Sequence, residues 1–210
     1  PRIISGDASS SLVAGCQFKI MRTFTDKEIL DRLTTLKSWQ GVPNGVLDVW
    51  VRSKADEYNR FDDKVFTYEF AADPTVKPKF IMACTGTSNA GAEGLKHFDK
   101  YNRLGCAVLK ADEIVYGSHA YGLHKGQYPA YRQVRPFPYF RDNDKDDKAE
   151  ELGKVYYDII GANCHRAGWN SVYIGGWSVA CLVRNQRTQY DKWMQYMNKR
   201  PLTVAILAEW

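Results

Sequence analysis

Between residues 26 and 36 apolar side chains recur every three or four positions, at Ile29, Leu30, Leu33 and Leu36. That is the period of one helix face. Thr25-Asp26-Lys27-Glu28 supplies a capping box: Thr25 can accept from the backbone of Glu28 while Glu28 reaches back, and Gly41 with Pro43 stops the pattern. A second helix is expected from about 45 to 59, with Leu47, Trp50, Val51 and Tyr58 on one stripe. Together the two predict a helical hairpin annex whose stripes face a core. Residues 1 to 20 are weakly patterned, so the chain divides into an N-terminal tail with annex over 1–60 and a second unit over 61–210.

After residue 60 the period shortens to that of strands. Val65 to Phe70 alternates, Phe80 to Thr85 is a short apolar run, and Cys106 to Lys110 and Glu113 to Tyr116 follow, with Tyr131 to Val134 after a Gly- and Tyr-rich turn. The piece from Gly91 to Arg103 is expected to hold a short helix or an ordered loop. Residues 141–151 form a dense charge run in which Asp142, Asp144 and Asp146 have the spacing that opens a calcium loop. The sixth position is Asp147 rather than Gly and the twelfth is Gly153 rather than Glu, which favours a solvated loop. Beyond it the pattern predicts strands near Asp158 to His165 and Val172 to Ile174, around a turn at Gly168-Trp169-Asn170. An amphipathic helix over 186–198, with Tyr190, Trp193, Met194 and Met197 on one face, and a strand from Leu202 to Ala208 complete a β-rich unit.

Composition narrows the function classes only a little. The chain has 210 residues, 44% of them hydrophobic and 25% charged, which excludes a disordered or collagenous protein. Lys and Arg outnumber Asp and Glu by 29 to 24, so anionic partners are favoured: nucleic acid, acidic lipid and the bacterial cell wall are all eligible. The basic residues are dispersed, without a run resembling a nucleic-acid arm, and no nucleic-acid partner is expected. No stretch reaches the roughly 18 consecutive apolar residues of a membrane span, so no membrane insertion is expected either. Val13-Ala14-Gly15-Cys16 has the look of a lipoprotein cleavage site, but no continuous apolar segment precedes it. Synthesis in the cytoplasm without a clear signal peptide is the expectation, with any action on a cell wall requiring lysis or a dedicated machine.

Cysteines fall at 16, 84, 106, 164 and 181, an odd count with no CxxC pair, and His97, His119, His124 and His165 form neither HExxH nor a finger spacing. No disulfide scaffold, metal or cofactor is expected on that basis. What remains is a thiol nucleophile. His165 and Cys181 lie sixteen positions apart, and an antiparallel connection could bring them side by side. The imidazole then takes the thiol proton, the sulfur attacks a carbonyl, and the imidazolium protonates the leaving amine. Small residues around Cys181 let backbone N–H groups approach the developing oxyanion. Strand neighbours point to opposite faces, so Cys164 should face away from a site that His165 faces.

Four segments carry a resemblance. Thr85-Gly86-Thr87, Gly122-Leu123-His124-Lys125-Gly126, Cys164-His165-Arg166-Ala167 and Gly176-Trp177-Ser178-Val179-Ala180-Cys181 occur in that order. The set resembles the L,D-transpeptidase catalytic domain, or YkuD fold, and most closely a divergent, largely phage-associated branch of it. The likeness covers about residues 60 to 200 and leaves the annex unexplained.

The resemblance implies a mainly β domain, a β-sandwich or barrel that is α+β overall once the annex and C-terminal helix are included. It implies action on peptidoglycan stem peptides through a Cys thioester, resolved by water as an endopeptidase or carboxypeptidase, or by an amine as a transpeptidase. Carried over residue by residue, Cys181 is the nucleophile, His165 its base and Ser178 a residue shaping the pocket. Backbone N–H groups at Ala180 and Cys181 are the oxyanion donors, and His124, Lys125, Arg166, Trp177 and Arg184 contact substrate. His119 reads as structural. Two departures stand out: Ala180 replaces the usual Gly, and the Arg often found two residues past the Cys is replaced by Val183, with Arg184 one later. A shift of one residue on a strand reverses a side chain's direction. The alternatives are a wall-binding or virion module that keeps the fold without chemistry, and a metallopeptidase using His119, His124 and the Asp run.

Overall fold

The computed structural model describes residues 24–210. Eight strands close a barrel: β1 (Gly45–Arg52), β2 (Asp63–Phe70), β3 (Lys79–Thr87), β5 (Glu113–His124), β6 (Tyr128–Gln133), β9 (Cys164–Arg166), β10 (Leu182–Arg184) and β11 (Leu202–Ala208). Their order around it is β1-β11-β5-β6-β9-β10-β3-β2. β4 (Cys106–Leu109), β7 (Phe137–Asp142) and β8 (Tyr156–Asp158) form a second, three-stranded sheet, and the helices are α1 (Asp26–Thr34), α2 (Ala92–Lys96) and α3 (Arg187–Met197). The fold is mainly β, and no helix among the described residues is long and apolar enough to cross a membrane.

The capping box at α1 forms as its residues dictate, with Glu28 N–H donating to Thr25 Oγ1 at 3.2 Å and Thr25 N–H to Glu28 Oε2 at 2.8 Å. Ile29, Leu33 and Leu36 then pack with Leu47, Val49 and Val51 of β1 and Phe66 and Tyr68 of β2. Fully burying Ile29 and Leu33 is worth about 1.5–3 kcal/mol apiece, enough to hold a nine-residue helix that would not form alone. At the other end of the chain Tyr190, Trp193 and Met197 of α3 enter the barrel core beside Val46, Trp50, Tyr131 and Ile206. Asn198, in the left-handed conformation at φ 41°, caps that helix.

The expected second helix over 45–59 is instead β1 followed by turns, so there is no helical hairpin and the barrel begins at Gly45 rather than near 61. β1 runs parallel to β11 and antiparallel to β2, with α1 over one face and the barrel interior on the other. A strand buried on both faces shows no polar alternation. Its Leu47, Trp50 and Val51 therefore imitate a helical stripe. Three smaller expectations also change. The Gly- and Tyr-rich stretch is the second half of the twelve-residue β5, with Gly117 at φ 57° where the register against β11 shifts. Residues 158–165 hold the end of β8 and the start of β9, separated by a bend at Gly161 (φ 76°). Near 172–174 only an isolated bridge, Arg60 to Tyr173, forms.

The barrel interior is not wholly apolar. Asp48 and Arg184, both fully buried, pair at 2.7 Å, and the other Asp48 oxygen accepts from Thr67 Oγ1 at 2.6 Å and Trp193 Nε1 at 3.3 Å. The Arg184 guanidinium lies 3.9 Å from the Trp193 ring centroid and donates to Cys164 Sγ at 3.0 Å.

Candidate functional site

The expected antiparallel connection between His165 and Cys181 is a parallel one. β9 and β10 pair in parallel, with Val183 opposite His165, and the Leu182 N–H donates to the Asn163 carbonyl at 3.0 Å. Cys181 stands two residues before Val183, which puts it on the His165 side of the seam. The intervening segment is long enough for the crossover that parallel pairing demands. Alternation sends Cys164 inward to the barrel core and His165 to the opposite face, as anticipated.

The stretch leading into Cys181 is pinned from several sides. Gly91 N–H donates to the Ser178 carbonyl at 3.0 Å, Gly175 N–H to Asn59 Oδ1 at 2.6 Å and Cys106 Sγ to the Val179 carbonyl at 3.3 Å. A Cβ at Gly91 would overlap the Gly175 carbonyl and the Ile174 side chain, so only glycine permits this approach. Ser178 is fully buried, and its hydroxyl donates to the Cys181 carbonyl at 2.8 Å. It therefore holds the Cys181 loop from within and is not itself exposed to a pocket.

His165 Nδ1 lies 2.8 Å from the Arg166 carbonyl, which can only accept, so the proton sits on Nδ1 and Nε2 keeps its lone pair. The Tyr128 hydroxyl, 3.1 Å from the same nitrogen, closes off that edge. His165 is 1% exposed and its Nε2 has no hydrogen-bond partner. His124 stacks on it at 4.0 Å between centroids and 30° between planes, is 8% exposed, and leaves its own Nδ1 without a partner. One ring nitrogen from each imidazole and Cys181 Sγ lie within 4.8 Å of one another. The thiol, partly exposed, rests 3.6 Å from the Gly161 carbonyl. The expectation of no metal-ligating cluster drew on spacing along the chain, and folding brings together what spacing keeps apart.

Burial dominates the electrostatics. It pushes the Cys181 thiol up to about 11, against the opposing pull of the Asn163 backbone N–H and the Lys125 charge. It drives His165 down to about 3, helped by His124 and, less, by Lys125, and lowers His124 together with Lys125. The resting pair is thus a neutral thiol beside a neutral imidazole.

The other sequence candidates divide. Lys125 is exposed at φ 49° beside Gly126 at φ 72°, in the turn joining β5 to β6, and that hairpin delivers His124 to the site. Arg166 lies 4.5 Å over the Tyr128 ring, and both line a groove of about 380 Å³ with Pro129, Arg187, Tyr190 and Met194. Trp177 is exposed on the Cys181 loop, and Trp169 and Tyr173 are exposed as well. Ala180 has no positive φ, so replacing glycine costs the turn nothing, and neither its N–H nor that of Cys181 has a backbone acceptor among the described residues. Arg184 is a correction: it lies sealed in the barrel with Asp48 and cannot touch substrate. His119 is structural, with Nε2 on the Ala162 carbonyl and Nδ1 on Ser118 Oγ, both at 2.8 Å. With both nitrogens engaged, and Asp144 and Asp146 capping their own exposed turns, the metallopeptidase set does not assemble. Sequence reasoning missed Tyr128, whose role depends on the β6–β9 pairing and has no local signal.

Three of the four motif segments, at the end of β5, on β9 and in the loop before β10, converge on His124, His165 and Cys181, while Thr85-Gly86-Thr87 lies on β3, four strands round the barrel from β5. No protein-family model, curated protein or solved structure matches this chain, so those segments and their placement are what a functional reading has to rest on.

Proposed function

We propose that this protein is a cysteine acyl-transfer enzyme of the L,D-transpeptidase type, acting on peptidoglycan stem peptides at the bacterial cell wall or from a phage particle. The observation that supports it most is the meeting of His165 and Cys181, with one His165 ring nitrogen within 4.8 Å of Cys181 Sγ, the buried Nε2 partnerless and Nδ1 fixed on the Arg166 carbonyl. A base in that tautomer accepts a proton at one atom only.

From a neutral resting pair, the Sγ proton moves to Nε2 as sulfur adds to the carbonyl carbon. The Ala180 and Cys181 N–H groups receive the oxyanion. Collapse expels the amine, which takes the proton from Nε2 and leaves a thioester. Water or an amine then attacks the thioester and sulfur regains a proton. A thiol rotation away from the Gly161 carbonyl precedes the first step, and such apo contacts commonly tighten only with substrate bound. Lys125 and Arg166 offer positive charge to the carboxylates of a stem peptide.

Mass spectrometry of tetrapeptide muropeptides and cross-linked dimers, incubated with the protein and with Cys181→Ala, tests this. Loss of a terminal residue, dimer cleavage or a new dimer, each abolished by the substitution, is expected. If both proteins leave every species intact while still sedimenting with sacculi, a wall-binding module is the better account, with exposed Trp169, Tyr173 and Trp177 as its contact surface.

A further inference from the structure

Thiol chemistry needs one imidazole, and this site has two. A buried polar atom without a partner is costly, and His124 Nδ1 and His165 Nε2 both stand that way, while one nitrogen of each ring lies within 4.8 Å of Cys181 Sγ. The acyl-transfer steps use the second lone pair and leave the first idle. We propose that His124, His165 and Cys181 form a three-ligand site for a divalent ion of the zinc class, and that the bound ion takes the thiol out of acyl transfer.

The donor set is two imidazole nitrogens and one sulfur, with no carboxylate among the three, which suits zinc or cobalt and not magnesium or calcium. Bond lengths of about 2.0–2.3 Å place tetrahedral ligands roughly 3.3–3.6 Å apart, so separations of up to 4.8 Å close with side-chain shifts of about 1 Å. The two rings stack at 4.0 Å between centroids, which keeps both imidazoles beside the one thiol. His165 already has the outer contact that metal-bound histidines use, its Nδ1–H on the Arg166 carbonyl. Binding replaces the S–H bond by a metal–sulfur bond and releases one proton to solvent. The fourth coordination position stays open to water. Silencing of acyl transfer rests on the thiol reading above, whereas binding of the ion does not.

The test is titration of the whole reduced protein, stripped with a chelator, with Co²⁺ alone. Thiolate-to-cobalt charge-transfer absorption should appear in the near ultraviolet, saturate at one equivalent and be displaced by Zn²⁺. Cys181→Ser should remove the band. His124→Ala should weaken binding at least about tenfold, since even an outer-shell partner is worth about 10–100-fold, while circular dichroism stays unchanged. Cys84→Ala, at a buried thiol outside the site, should leave the spectrum intact. Absence of the band, or a band that survives Cys181→Ser, overturns the metal site. Muropeptide turnover run in parallel should be faster with chelator than with Zn²⁺. Cobalt binding without turnover in either condition leaves the metal site standing and sinks acyl transfer. Turnover that chelation abolishes overturns the silencing role.

Discussion

Cys164 and His165 are consecutive residues of β9, and they open onto two opposite kinds of burial. On the inner side Cys164 meets Arg184, whose charge is cancelled by Asp48 and whose one unpartnered nitrogen, Nε, belongs to a guanidinium set over the Trp193 ring. On the outer side His165 meets His124 and Cys181 with lone pairs left unused. Buried polarity alone therefore does not mark a site. The inner cluster neutralises its own charge and fixes the barrel, while the outer one keeps electron pairs that only a proton, an acyl group or a metal ion can take up.

Removing a member of either cluster should separate the two roles. Cys181→Ala should lower muropeptide turnover by on the order of 10⁴-fold or more, with urea unfolding within about 1 kcal/mol of the parent. Asp48→Ala should do the reverse, costing about 3–5 kcal/mol of stability because Arg184 is left as an uncompensated buried charge. Replacing the pair together, Asp48→Leu with Arg184→Met, should recover most of that loss in the same urea experiment. Gly91→Ala forces a Cβ into the Gly175 carbonyl and should cost about 1–3 kcal/mol, with faster iodoacetamide labelling of Cys181 as its loop loosens. Ser178→Ala deletes one buried hydrogen bond and should cost about 1 kcal/mol, with kcat falling more than KM changes. The unmutated protein should also show the contrast in its pH dependence. With chelator present, Cys181 alkylation should climb about tenfold per unit from pH 7 to 9 without a plateau, because its thiolate forms only near 11. His165 stays neutral down to about 3, so turnover should show no loss on acidification through the ordinary histidine range near 6.5.

The contrast between the clusters was partly legible in the sequence. A one-residue shift of the expected arginine turns its side chain over on a strand, and Arg184 does lie on the inner face. His165 and Cys181 stand out through their place in the four ordered segments, since their spacing alone is a weak signal. Helices α1 and α3, each with one apolar face, were readable from spacing. β1 was not, since burial on both faces erases the alternation that marks a strand. The approach of His124 to His165, and the part played by Tyr128, follow from pairing registers around the barrel, which no local pattern encodes.

The barrel's seam also orders events in time. β1 and β11 stand at opposite ends of the described chain and pair along their whole length, from Val46 with Leu202 to Arg52 with Ala208. Contacts of such separation are formed late and slowly. During synthesis, β9, the Cys181 loop and β10 emerge before the strand that closes the wall carrying them. The thiol and the two imidazoles sit on strands that pair with one another without the final strand, so a nascent chain stalled before Leu202 holds the residues of the site in a wall still open between β1 and β5.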